Sequence, residues 1–147
     1  METINFTSRP LTDAEYAREQ VAFHQHDAEF GNLPQTAERH GFVATDDNGK
    51  MIGCSSGLAY KTAKGYCNYF FLTDLLVEKE YRGQGHGKKL LELLEKEIKD
   101  LGVKYIWAWT AGFEAPGFYE KMGYTEFIRM EDWYASGHAS VGFKKQL

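Results

Sequence analysis

Apolar and polar positions recur along this chain with two different periods. Leu90, Leu91, Leu94, Ile98 and Leu101 fall at helical spacing and predict an amphipathic helix with one face on a core. Glu92/Lys96 and Glu95/Lys99 form i,i+4 pairs on its other side, and Gly102 is a natural C′ residue. Thr12-Asp13-Ala14-Glu15 is a capping box opening an earlier helix to about Phe30, whose apolar positions Tyr16, Ala17, Val21, Phe23 and Phe30 make only a loose stripe. Ile4 to Phe6 predicts a short first strand, while Leu33 to His40 suits a second helix or a loop equally. Gly41 to Thr45, Lys50 to Lys61 and Tyr66 to Val77 read as strands joined by turns at Asp46–Gly49 and Thr62–Gly65, an antiparallel meander.

Val103 to Thr110 reads as a strand beyond the leucine-rich helix, so strand, helix and strand require a parallel pair with a right-handed crossover. Pro116 to about Met122 predicts a short helix closed by Gly123. Tyr124 to Met130 and Val141 to Gln146 are the last strands, separated by a loop. No repeat or linker interrupts the pattern, and the expectation is one α+β domain over residues 1–147 with a mixed, twisted sheet.

Composition narrows the function classes. Seventeen basic residues stand against 21 acidic ones, a net charge of −4, which builds in no general attraction to nucleic acid. No apolar run approaches the ~20 residues that span a bilayer, and Met1-Glu2-Thr3-Ile4-Asn5 lacks a signal peptide's basic start, so a soluble cytoplasmic protein is expected. Cys54 and Cys67 fall several residues out of register across their predicted hairpin, too far for a disulfide, and read as free thiols. Among the five histidines, His24 and His26 point in different directions on one helix, and no metal-ligating constellation is visible.

The chemistry concentrates between Phe70 and Gly87, where an apolar strand passes through a charged link into Arg82-Gly83-Gln84-Gly85-His86-Gly87 and directly into the leucine-rich helix. Glycines allow close backbone approach with N–H groups facing outward, and a helix start adds partial positive charge, so a phosphate suits this turn. Taken alone, such a turn is equally a ligand-free connection. It is not a P-loop, because Gly87-Lys88 is followed by Lys89 where a hydroxyl would bind magnesium. Nor is it a Rossmann fingerprint, because Lys88 stands in place of the third glycine and the turn follows a meander.

Leu75-Leu76-Val77, the link Glu78 to Tyr81, and Arg82 to Gly87 followed by Lys88-Lys89-Leu90-Leu91 resemble the central motif of the GNAT superfamily of acetyl-coenzyme A-dependent N-acetyltransferases. Farther on, Ala115-Pro116-Gly117-Phe118-Tyr119-Glu120-Lys121-Met122-Gly123-Tyr124 resembles the superfamily's second motif. The resemblance implies that the strands Tyr66–Val77 and Val103–Thr110 splay at their C-terminal ends and admit the pantetheine arm of acetyl-CoA. Backbone groups near Leu75 and Val77 would hold that arm, and Arg82, Gly83, Gln84, Gly85, His86, Gly87 and Lys88 the pyrophosphate. Tyr119 stands where relatives carry the general acid that protonates the departing thiolate.

The base is the open point, since Thr73-Asp74 and Trp107 occupy positions where relatives often carry glutamate. Asp74, expected on the opposite strand face from Thr73, Leu75 and Val77, and His138, in the loop before the last strand, are the candidate bases, and water is a further option. Gly112 replaces an asparagine that often contacts the cofactor arm. Trp107 and Trp109, sharing one strand face, and Trp133 are candidates for an acceptor pocket, although alternating aromatics on a strand are core residues by default. The resemblance implies acetyl transfer to a primary amine acceptor; the composition leads to no expectation of metal, nucleic acid or membrane, and homodimerisation through the last strands is compatible with the resemblance. A module that binds acyl-CoA for sensing or scaffolding without catalysis is the rival reading, and a longer acyl chain is a third.

Overall fold

The structure is a computed structural model that describes residues 1–147. The chain divides into two compact units, Met1–Pro34 and Gln35–Leu147.

The first unit is built on helix α1, Asp13–Glu29. Its start is the predicted capping box: the Glu15 N–H donates to Thr12 Oγ1 at 3.3 Å and the Thr12 N–H donates to Glu15 Oε2 at 2.7 Å. Arg9 completes the cap with two hydrogen bonds to Glu15, at 2.8 and 2.7 Å. These bonds, Arg9 first and the Thr12 N–H second, hold the Glu15 carboxyl down at about 2, so protonation loosens the cap only as pH falls toward that value. Ile4 to Phe6 is not a strand; both end residues are exposed, and three residues are at the lower limit of strand length.

The second unit is a six-stranded sheet with helices, and its element order is the predicted meander and crossover. Strands β1 (Thr36–Thr45), β2 (Met51–Thr62) and β3 (Gly65–Val77) pair antiparallel. A 3₁₀ turn at Lys79–Tyr81 leads to helix α2 (His86–Asp100), then β4 (Tyr105–Ala111), helix α3 (Pro116–Lys121), β5 (Thr125–Met130) and β6 (Ser140–Gln146). The strand order is β1-β2-β3-β4-β6-β5, and only the β3–β4 pair is parallel. β1 begins at Thr36, inside the stretch read as helix or loop; it is a charged edge strand, so no apolar alternation announces it.

Leu90, Leu91, Leu94 and Ile98 are the buried face of α2, as their spacing predicts. Leu91, Leu94 and Ile98 pack with Phe70, Leu72, Ile106, Ala108, Tyr119, Val141 and Phe143 in one core. The polar side of α2 departs from expectation. Lys96 pairs with Asp100 at 2.9 Å instead of Glu92, and Glu95 turns inward to accept from Tyr124 Oη at 2.8 Å and Lys145 Nζ at 2.9 Å. Removing that carboxylate in Glu95→Ala would leave the largely buried Lys145 charge unpartnered, an expected loss of about 2 kcal/mol. Urea unfolding against the parent chain measures it. Cys54 faces Leu76 across β2–β3, whereas Tyr66, next to Cys67, faces Lys61; both thiols are free.

One irregularity bears on function. Ser56 faces Asp74 and Gly57 faces Leu72, so Thr73 is an extra residue, a β-bulge in β3. Phe70 and Leu72 point to the core before it, and Leu75 packs toward the core after it. The expectation that Asp74 and Thr73 lie on opposite faces is therefore corrected: the inserted residue breaks the alternation, and Thr73 Oγ1 donates directly to Asp74 Oδ2.

Candidate active site

β3 and β4 pair for only four residues, Tyr69 to Leu72 against Tyr105 to Ala108. Beyond them β3 continues to Val77 on β2 while β4 follows β6, so the two strands part as the resemblance implies. A cleft of about 1080 Å³ opens where they separate, floored by Leu72 to Val77 and walled by Gly83, Gly85 to Lys88, Thr110, Phe118 and Tyr119. Backbone donors and acceptors on the facing edges lack strand partners and suit an extended, amide-bearing ligand.

The glycine-rich turn closes one end. Gly83 and Gly85 have φ of 74° and 85°, left-handed values that glycine adopts without strain, and Gly85 is the N-cap of α2. None of the N–H groups from Gly83 to Lys88 donates within the turn; the first committed amide is Lys89, to the Gly85 carbonyl at 3.0 Å. Those free amides at the start of a 15-residue helix fit phosphate oxygens. Arg82 Nε donates to the Val77 carbonyl at 2.9 Å, fastening the turn to the end of β3, and Lys88 stands 3.8 Å from Glu92. Arg82, His86 and Lys88 border the cleft, while Gln84 lies outside it, donating to the Glu80 carbonyl at 3.3 Å.

Tyr119 projects from α3 into the wall of the cleft, 6% exposed, stacked on Phe143 with ring centroids 5.6 Å apart and edge-on to Tyr124. Burial first, and the nearby Glu114 carboxylate second, push its phenol up to about 12. Glu114 borders the cleft and lies 3.5 Å from Thr110 Oγ1. Gly112 has a local reason: its N–H donates to the Ala139 carbonyl at 2.8 Å, and a Cβ there would come within 3.3 Å of that oxygen.

The candidate bases are placed differently from each other. Asp74 borders the cleft at the bulge, exposed, with Arg39 Nη1 at 3.4 Å. His138 does not border it; its Nδ1 lies 2.9 Å from Ser136 Oγ and its ring packs edge-on to Phe113, which does. Trp107 and Trp109 share a face as predicted, with Trp107 stacked on Phe71 at 4.1 Å. With Tyr69, Phe127, Ile128 and Lys144 they line an apolar pocket of about 390 Å³, and Trp109 borders both this pocket and the cleft. Trp133 is exposed and borders neither. Arg39, Ser56 and Glu114 were not singled out in the sequence; only the alternation of β1, hidden by its charges, would have put Arg39 on the sheet face where it meets Thr73 and Asp74.

Comparison with known proteins agrees with this geometry. Residues 37–126 match the family model described as "Acetyltransferase (GNAT) domain". An uncharacterized N-acetyltransferase of Chlorobaculum tepidum is 32% identical over 85 residues, 58% of this chain and half the length of that relative. The crystal structure of an acetyltransferase from Bacillus cereus superposes with a TM-score of 0.80 at 26% identity, covering 97% of this chain and 98% of that one. An aminoglycoside 6′-N-acetyltransferase complexed with coenzyme A matches at TM-score 0.62 and 20% identity, over 74% of this chain and 73% of its own. With a matching family model spanning most of β1 to β5, the chain belongs to the GNAT acetyltransferase family.

Proposed function

We propose that residues 1–147 act as one N-acetyltransferase domain that moves the acetyl group of acetyl-CoA to a primary amine by direct attack. The observation that carries this reading is the cleft itself: uncommitted amides of Gly83 to Lys88 at one end, unpaired strand edges along its length, and Tyr119 in its wall. A structural neighbour of the same fold is complexed with coenzyme A, which supports the assignment of the ligand.

When bound, acetyl-CoA supplies the thioester. The strand edges near Leu75 and Val77 hold the arm, and the turn amides, with Arg82, His86 and Lys88, hold the phosphates. The amine nitrogen forms a bond to the acetyl carbon as the carbon–sulfur bond breaks with its electron pair on sulfur. One proton leaves the nitrogen, and one reaches the sulfur from Tyr119 Oη. Asp74 borders the cleft where His138 does not, which favours Asp74 as the group that takes the nitrogen's proton, directly or through water.

The pH profile follows from the raised phenol. A tyrosine of ordinary pKa near ~10 would lose its donating form above that pH, whereas Tyr119 keeps its proton until pH approaches about 12. The alkaline limb of kcat assigned to this group is therefore expected well above pH 10 and should vanish in Tyr119→Phe; a limb centred at or below pH 10 that is unchanged in the variant counts against the assignment. An amine panel assayed for release of free coenzyme A tests the whole reading. Bound acetyl-CoA with no release for any acceptor would mark a binding module instead.

A further inference from the structure

We propose that the acceptor is a carboxylate-bearing amine of the α-amino acid class with an apolar or aromatic side chain, and that Arg39 receives its carboxylate. This rests on the N-acetyltransferase reading above and specifies its acceptor.

Arg39 lies on β1, where Glu38 and His40 face α2, so its side chain rises from the other face of the sheet. It crosses β2 to reach the bulge in β3, two strand spacings or about 10 Å away. All three of its protein contacts run from Nη1: to Ser56 Oγ at 2.9 Å, Thr73 Oγ1 at 2.9 Å and Asp74 Oδ2 at 3.4 Å. The guanidinium is thereby held in one orientation by three polar groups. Its other edge, Nε and Nη2, donates to no protein atom, and the side chain is 54% exposed. That edge is the planar fork that binds a carboxylate through two parallel N–H···O bonds.

The surroundings supply the rest of an amino acid's complement. Asp74, beside the fork and at the border of the cleft, offers a carboxylate to the amine end. On the same sheet face the stacked Phe71–Trp107 pair and Trp109 provide an apolar surface leading from the cleft to the aromatic pocket. A positive and a negative group 3.4 Å apart, with Trp109 bordering the same cleft as Asp74, match a zwitterion with an apolar side chain. An amine lacking the acid leaves the Nε and Nη2 edge of Arg39 without an acceptor, and a polyamine meets the guanidinium as a like charge.

If Arg39 were only a clamp for the bulge, its loss would lower activity on every acceptor alike. The test therefore reads a ratio within each protein, which does not depend on how much is folded. The full chain is assayed at saturating acetyl-CoA for coenzyme A release with tryptophan against tryptamine and phenylalanine against phenethylamine. The parent chain is expected to favour each amino acid by at least about tenfold in kcat/KM, as a site built to bond a polar group rejects the analogue lacking it. Arg39→Met should bring the ratio to one or below, and Arg39→Lys, which keeps the charge but not the fork, should retain only part of it. Equal or preferred turnover of the bare amines by the parent chain overturns the proposal while leaving N-acetyl transfer standing, and an unchanged ratio in Arg39→Met removes Arg39 from it. Acetyl-CoA binding with no release from either member of any pair overturns the proposal, and N-acetyl transfer falls with it only when the wider amine panel also releases no coenzyme A.

Discussion

Tyr119→Phe is expected to lower kcat by about 10²- to 10³-fold while leaving the dissociation constant for acetyl-CoA within about twofold, because a positioned proton donor contributes on that scale and the ring remains to pack. Binding should survive because Tyr119 is fixed by apolar contacts with Phe143, Tyr124 and Phe118, none of which involves the hydroxyl. Loss of turnover together with loss of binding would mean that the hydroxyl organises the cleft instead of donating a proton. Steady-state kinetics alongside calorimetric titration of acetyl-CoA separates the two. Unchanged turnover would remove Tyr119 from the mechanism.

Gly57→Ala is expected to cost about 3 kcal/mol, roughly 10 °C in Tm, an effect out of proportion to one methyl group. A Cβ at this position would lie 2.3 Å from the Phe70 ring and 2.3 Å from the Phe71 carbonyl oxygen, so both a fully buried ring and a strand backbone would have to move. Gly57 faces Leu72, the residue before the bulge. The displaced backbone therefore leads straight into Thr73 and Asp74, and weaker acetyl-CoA binding should accompany the stability loss. Thermal unfolding with and without acetyl-CoA checks both, and a Tm within 2 °C of the parent would show that the neighbouring strand yields without strain.

The legible parts of the fold were those whose physics is periodic. The leucine spacing of α2 and the alternation of Ile106, Ala108 and Thr110 against Trp107 and Trp109 survive in one dimension because each repeats against one core. The glycine-rich turn was legible because left-handed backbone at Gly83 and Gly85 restricts residue type. The first half of β1, before Gly41, was not, because Glu38, Arg39 and His40 on an edge strand offer no apolar rhythm. The bulge was also hidden: Phe70, Phe71 and Leu72 precede it and Leu75, Leu76 and Val77 follow, all apolar, so a change of phase leaves no trace in polarity. Glu95 illustrates a third limit, since its partners Tyr124 and Lys145 come from distant strands and compete with the local i,i+4 lysine. The candidate site shares these limits, and its cofactor end, carried by local motif, was clearer than its acceptor end, which β1 and the bulge bring together.

The four-residue contact between β3 and β4 has a consequence for exchange with solvent. Most sheets hide their unpaired N–H groups by placing strands in the middle and charges at the rim. This sheet carries an unzipped seam at its centre, and the amides of Thr73 to Val77 that face the gap are protected by neither a neighbouring strand nor a covering helix bond. In deuterated water they should exchange among the fastest of any strand amides in residues 35–147, and slow markedly once acetyl-CoA is added, before any acceptor is present. The seam thus gives a direct readout of whether acetyl-CoA is bound, independent of any acceptor.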